Sequence, residues 1–491
     1  MRGSGILLHI SSLPGPYGIG TFGKEAYNFI DFLTKAKQKY WQVLPLGPTS
    51  YGDSPYQTLS AFAGNPYFID LDILKEQGLL EEDELKNLPR RDTKTVDYGL
   101  QYRERFRILR AAFNRFQKMN LNPDSYLKFL SDQAWWLDDY ALFMTLKTKF
   151  DGKSWDLWPE QYRFRNRESL NKFKEENPED IEFWKFIQFQ FFSQWQGIKE
   201  YANLNGIKII GDMPIYVAYD SADVWCLPEF WQLDEALIPK AVAGVPPDGF
   251  TEDGQLWGNP LYDYEVMEKD GFSWWVKRIS FSFELFDSLR IDHFRGFEGY
   301  YSVPFGEKTA RYGTWVKGPG MKLFSKIKEE LGELDIIAED LGFLTPAVRE
   351  MLAACGFPGM KIFQFGFNPK AESEYAPHTY TKNSVVYPGT HDSSTLKGWL
   401  KERSREEYLY YKEYLQFKRK KDAVWRGIVE CFKSVCNTCI IQMQDYLELD
   451  DSARFNVPST LGGNWLWRAR KKDFSNRLAE RIARLVTIYY R

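Results

Sequence analysis

Four acidic residues each follow a short apolar run: Asp212 closes KIIGD, Asp292 closes LRID, Glu339 closes DIIAE and Asp392 closes SVVYPGTHD. Buried strands that each deliver one carboxylate at the C-terminal tip are how a (β/α)8 barrel assembles an active site. Several carboxylates at one mouth suit two chemistries, sugar cleavage or binding of a divalent metal. In LRIDHFRGFEGYY, side chains alternate along the strand, so Arg290 and Asp292 share the face opposite Leu289 and Ile291. If the apolar pair meets the helices, the charged pair meets the barrel lumen. There the guanidinium favours an ionised Asp292, lowering its pKa by about 1 to 3 units. That describes a standing nucleophile, or one half of a structural ion pair. In DIIAEDLG the alternation sets Glu339 at a strand tip on the same face as Ile337. An apolar setting makes a carboxyl hold its proton, as a general acid must. Two carboxyls with separated pKa values are what glycoside cleavage needs, ~5 to 5.5 Å apart if configuration is retained. His391 and Asp392 are adjacent, so both reach the lumen only if the strand has ended, which Pro388 and Gly389 permit. Asp212 stands ahead of Pro214, where it suits a substrate contact or a turn equally.

These carboxylates need eight strands behind them. Runs rich in Ile, Val, Leu and Phe occur at Ile6–His9, Gln42–Leu46, Lys208–Asp212, Leu289–Asp292, Ile336–Glu339, Lys361–Phe365, Ser384–Tyr387 and Ala453–Val457. Most are separated by helical patterns, as a parallel barrel requires. The fold expected is α/β: one catalytic (β/α)8 TIM barrel over 1–491 with helical and loop insertions, and no separate C-terminal β-sandwich. The insertions fall at about 70–200, mostly helical, at 241–263 and at 396–447, again helical. YRERFRILRAAFNRFQ and DIEFWKFIQFQFFSQWQGIKEYA carry apolar residues at helical spacing within the first. The 241–263 segment is dense in Gly, Pro, Asp and Asn yet holds Phe250 and Trp257. A long loop of that kind reads as a lid over the mouth.

Composition narrows the choice of partner. A net charge of −3 over 491 residues argues against nucleic-acid binding, which needs a marked basic surplus. No stretch approaches the ~18 to 20 apolar residues of a membrane span. The N-terminus lacks the pattern of a signal peptide. Five cysteines make no disulfide framework and fit a reducing compartment, so the expected location is the cytoplasm, or a plastid stroma if a transit peptide has been removed. Only four histidines are present, which disfavours a His-rich metal site. Aromatics make up 17% of the chain, and flat rings suit pyranose faces as well as they suit a large core. GIGTFG imitates a dinucleotide fingerprint but does not follow its strand directly. Cys431, Cys436 and Cys439 imitate an iron–sulfur spacing but have no later cysteine as fourth ligand.

Longer motifs carry a family resemblance. SGILLH, SLPGPYGIG, YGDSPYQTLSAFAGNPYFIDL, DDYALFMTLK, GDMPIYVAYDSADVW, GVPPDGFTEDGQLWGNPLYD, RIDHFRGFEGYY, IIAEDLG, PGMKIFQF, PGTHD and GNWLWR run in order from residue 3 to residue 468. Together they resemble the 4-α-glucanotransferases, also called amylomaltases or disproportionating enzymes, which are relatives of the α-amylases. The resemblance implies a barrel without cofactor or metal and retaining transfer of an α-1,4-glucan segment through a covalent glycosyl-enzyme. Donors would be malto-oligosaccharides, amylose or starch-derived glucans, and acceptors a glucan or glucose. It implies Asp292 as nucleophile, Glu339 as acid/base and Asp392 as transition-state stabiliser. It also implies Tyr56, Asp212, Arg290 and His391 around the reacting sugar, and Asp248, Trp257 and Asn464 at neighbouring subsites. Tyr51 and Tyr98 would form an outlying glucan contact. The chain departs from the family pattern where Ser393 and Ser394 replace the usual Asn-Asp after THD, and at Ser459, where glycine is usual. Three other readings stay open: an α-amylase-type retaining hydrolase, a magnesium-dependent lyase or isomerase using Asp212, Asp292 and Glu339, and a catalytically dead glucan-binding protein, against which the presence of all three carboxyls counts.

Overall fold

The computed structural model describes residues 2–50, 52–119, 123–247, 251–342, 344–460 and 462–491. Among these, the strands are β1 (Gly3–Leu7), β2 (Tyr40–Gln42), β3 (Lys208–Met213), β4 (Ala241–Val245), β5 (Gln255–Pro260), β6 (Ser288–Ile291), β7 (Gly299–Pro304), β8 (Thr314–Lys317), β9 (Ile336–Ala338), β10 (Gly359–Ile362), β11 (Ser384–Tyr387) and β12 (Thr438–Gln442). Eight of them form one parallel sheet in the order β10-β11-β12-β1-β2-β3-β6-β9. A backbone hydrogen bond from the Ala338 N–H to the Pro358 carbonyl, 3.0 Å, brings its two ends together. The sheet is a (β/α)8 barrel. Leu289 and Ile291 are fully buried on the helix side of β6, while Arg290 points into the lumen, as the alternation predicts. Below the mouth the lumen is polar: Tyr387 donates its hydroxyl proton to Gln42 Oε1 at 2.9 Å, and Gln442 Nε2 donates to the Gly389 and Thr390 carbonyls.

Ser384–Tyr387 coincides with β11 residue for residue, whereas Gln42–Leu46 shares only Gln42 with β2. The eighth expected strand is a correction. Ala453 closes a short 3-10 turn, and residues 454–457 run as irregular chain. The eighth barrel strand is β12, inside the block read as helical. Apolar spacing of three and four continues from the helix Ala423–Lys433 straight into β12, so periodicity gives no boundary there. Cys439, Ile440 and Ile441 are fully buried, and a strand covered on both faces has no period of two to reveal it.

The 241–263 segment is also more ordered than a loop. Its described residues include β4 and β5, which pair antiparallel. With β7 and β8 they make a second sheet of order β5-β4-β7-β8. β7 begins just after β6, so this sheet stands at the end of the barrel that carries Asp292. The large insertion is helical as expected, with helices Tyr98–Lys118, Asp124–Lys149 and Pro178–Leu204. Most aromatic rings serve the core: Trp41, Trp155, Trp195, Trp225 and Trp275 are all fully buried. The five cysteines are free thiols, and Cys431, Cys436 and Cys439 are buried. Among the described residues, no helix is long and apolar enough to cross a membrane.

Candidate active site

Register brings the charged groups together. Asp212 on β3 is the direct parallel neighbour of Arg290 on β6, one strand spacing away. Arg290 Nη1 donates to both Asp212 oxygens, at 2.6 and 2.7 Å, and to Asp292 Oδ1 at 3.0 Å. Its Nη2 reaches Glu339 Oε2 at 2.9 Å. One buried guanidinium thus gathers three carboxyls from three adjacent strands. Backbone bonds fix the tips: the Asp292 N–H donates to the Met213 carbonyl and the Glu339 N–H to the Ile291 carbonyl, both at 3.0 Å. His293 then takes the left-handed conformation, φ 48°, which turns the chain sharply and aims its own N–H at Glu339 Oε2, 2.7 Å away. A non-glycine residue held there is strained, and such strain concentrates at functional sites.

The opposite wall is built from loops. β11 stops at Tyr387, and the turn through Pro388 and Gly389 delivers His391 and Asp392 to the mouth. Gly389 is required by space: a Cβ there would lie 2.7 Å from Ser393 Cβ and 2.9 Å from Gln364 Nε2. His391 Nε2 stands 3.2 Å from Asp392 Oδ2. Tyr56 stacks on the His391 ring at 4.9 Å, and its hydroxyl donates to Asp212 Oδ2 at 2.9 Å, tying this wall to the guanidinium. Trp465 lies 6.0 Å from both rings and is itself left-handed, φ 62°. On the other flank, Trp257 meets His293 edge to face at 4.8 Å.

Electrostatics depart from the expected assignment. Burial and the neighbouring Glu339 push Asp292 well above the carboxylate range, more than Arg290 pulls it down. Burial opposes ionisation of Glu339 too, but Arg290, a hydrogen bond from Asp292 and the His293 N–H outweigh it and hold Glu339 low. The sequence had suggested the reverse, because it could not show that Arg290 already spends one nitrogen on Asp212 and that Glu339 receives an extra backbone donor. Arg290 stays charged: burial disfavours this, and Asp212, Glu339 and Asp292 overcome it. Asp392, partly exposed at the mouth, is held down to about 2, against the partial desolvation of the site, by His391 and Asn456. Burial lowers the His293 ring to about 4, so it is neutral near pH 7. The cation that these acids surround is a guanidinium in the place a magnesium ion would need, which disfavours the lyase reading.

A family model described as 4-alpha-glucanotransferase (glycoside hydrolase 77) matches residues 8–473. The chain belongs to that family. A 4-alpha-glucanotransferase of Clostridium butyricum is 53% identical over 99% of this chain and 100% of its own length. One of Thermus thermophilus is 46% identical over 96% of each. Among solved structures, the amylomaltase of Streptococcus agalactiae in complex with acarbose superposes with a TM-score of 0.96 at 42% identity, covering each chain completely.

Of the family positions singled out in the sequence, Tyr56, Asp212, Arg290, Asp292, Glu339, His391 and Asp392 meet in one connected network, and Trp257 borders it. Asn464 is half-buried, and its amide is engaged within its own loop, accepting from the Val457 N–H and donating to Thr460. Tyr98 lies behind Trp465 and donates to its carbonyl at 3.2 Å. Tyr51, Asp248 and Phe250 lie outside the described residues. Sequence reasoning passed over the His293 N–H, Trp465, Arg454 and Asn456. Trp465 sits in the quoted GNW, next to the residue chosen. Asn456 was hidden by the mistaken strand.

Proposed function

We infer that this chain is an enzyme that transfers α-1,4-glucan segments between malto-oligosaccharides, with Asp292 as nucleophile and Glu339 as acid/base. The observation carrying the reading is the Asp292–Glu339 pair, two carboxyls from adjacent strands both seated on Arg290 at the barrel mouth. In the first step a carboxylate oxygen of Asp292 bonds to the anomeric carbon. The glycosidic C–O bond breaks, and its oxygen leaves with the Glu339 proton. In the second, the 4-hydroxyl of an acceptor glucan or glucose attacks that carbon, its proton passes to Glu339, and the Asp292 carboxylate is released. Two inversions retain configuration.

Glu339 must therefore carry a proton and Asp292 be ionised when attack begins. Positive charge developing at the anomeric carbon beside Asp292 favours its ionised form. With one proton on the pair, Asp212, Arg290, Asp292 and Glu339 carry a net charge of −1, and ionised Asp392 adds to it. A fixed negative field around a carbon that becomes cationic lowers the barrier. Tyr56 and Trp257, both partly exposed, offer apolar surface for sugar rings, and transfer beats hydrolysis if they seat the acceptor and exclude water.

Incubation with maltotriose alone tests the reading. Glucose plus a ladder of longer oligosaccharides is expected, and glucose with maltose only would turn the assignment to hydrolysis. Undiminished turnover in the presence of a chelator is expected as well.

A further inference from the structure

The stretch Arg454–Asn456, far from β11 in the chain, is bonded to the loop that carries Asp392. Asn456 Nδ2 donates to Asp392 Oδ1 at 2.6 Å, and the Asn456 N–H donates to the His391 carbonyl at 3.2 Å. Arg454 Nη2 donates to the Asp392 carbonyl at 2.5 Å and Nη1 to Ser394 Oγ at 3.2 Å, while Nε closes on the Asn456 carbonyl at 2.6 Å. On the far side of the carboxylate stands His391 Nε2. A carboxylate torsion is broad when left to itself. Two donors on opposite oxygens fix its plane, and each oxygen keeps lone-pair capacity for a sugar hydroxyl. The Asp392 side chain is 44% exposed, so it remains open to such a partner.

We propose that Asn456 is a positioning residue: it orients the Asp392 carboxylate for the distorted sugar. The inference rests on Asp392 being a catalytic carboxylate. It also links Asp392 to the 457–464 loop, because the Val457 N–H is held by Asn464 and the Trp465 N–H donates to the Phe455 carbonyl at 2.7 Å. The charged and titratable groups facing Asp392 are His391, Arg290, Tyr56 and Arg454.

The test measures maltotriose disproportionation across pH, with thermal melting, for Asn456→Ala, Asn456→Asp and Asp392→Asn. Asn456→Ala is expected to lower kcat about 10- to 100-fold, the cost of a catalytic group out of place, with KM little changed. Asn456→Asp keeps the shape but substitutes a carboxyl for the donor. Paired carboxyls retain a proton to higher pH, so this variant should work only on the acid side, its alkaline limb moving down by about one unit or more. Parental kcat in both Asn456 variants, or lost activity with an unmoved pH profile, would overturn the positioning role. Near-parental turnover of Asp392→Asn would instead overturn the reading of Asp392 itself.

Discussion

The two walls of the site are held in different ways. On one, Asp212, Asp292 and Glu339 sit on or just past adjacent barrel strands, fixed by ladder hydrogen bonds and one buried guanidinium. On the other, His391 and Asp392 sit in a loop braced by Arg454 and Asn456 and by stacking of Tyr56. The first wall cannot shift without sliding a strand in the sheet. The second can move with its loops. On the proposed assignment the bond-making groups would occupy the rigid wall and the groups that grip the sugar the adjustable one, which suits an enzyme that must hold one residue and then exchange its partner.

The comparison breaks most completely at the rigid wall. Asp292→Asn should cut turnover by about four to six orders of magnitude with the fold intact, measured by maltotriose kinetics and circular dichroism. Glu339→Gln should cost maltotriose about 10²- to 10⁴-fold but spare a donor whose leaving group needs no proton, such as a maltosyl fluoride. The parent kcat/KM should be bell-shaped in pH, falling when the Asp292–Glu339 pair holds two protons and again when it holds none. Loss of the alkaline limb in Glu339→Gln on the fluoride donor would identify the Glu339 proton as its origin.

Arg290→Ala leaves three carboxyls without their cation. Removing one partner of a buried ion pair costs about 3 to 5 kcal/mol, so a drop in melting temperature should accompany the lost activity. Tyr56→Phe removes the hydrogen bond joining the walls, and about a tenfold loss in kcat/KM is expected from one such bond to a charged group. The smallest effect belongs to Asn464→Ala. Its amide closes an exposed loop, so a stability change of about 1 kcal/mol or less is expected, and a rise in KM for long donors above that for maltotriose would assign it a sugar contact as well.

Much of this was readable in the chain because strand alternation is a local rule. The alternation of LRID put Arg290 and Asp292 on the lumen face, and the turn residues after SVVY ended β11 before His391. Where two elements share one periodicity, as across Ala423–Lys433 and β12, local rules gave the wrong boundary. Aromatic richness was equally ambiguous, since core rings and sugar platforms are the same residues in different surroundings.

By itself, the sequence determined the inventory: which carboxyls end strands, which face each takes, and which family's motifs it carries in order. Tertiary structure alone decided how charge is distributed among them. A pKa depends on every donor within a few ångströms, and the His293 N–H on Glu339 and the Asp212 claim on Arg290 come from strand register and a left-handed turn. It likewise decided that Asn456, 64 positions from Asp392, would be the group that holds it.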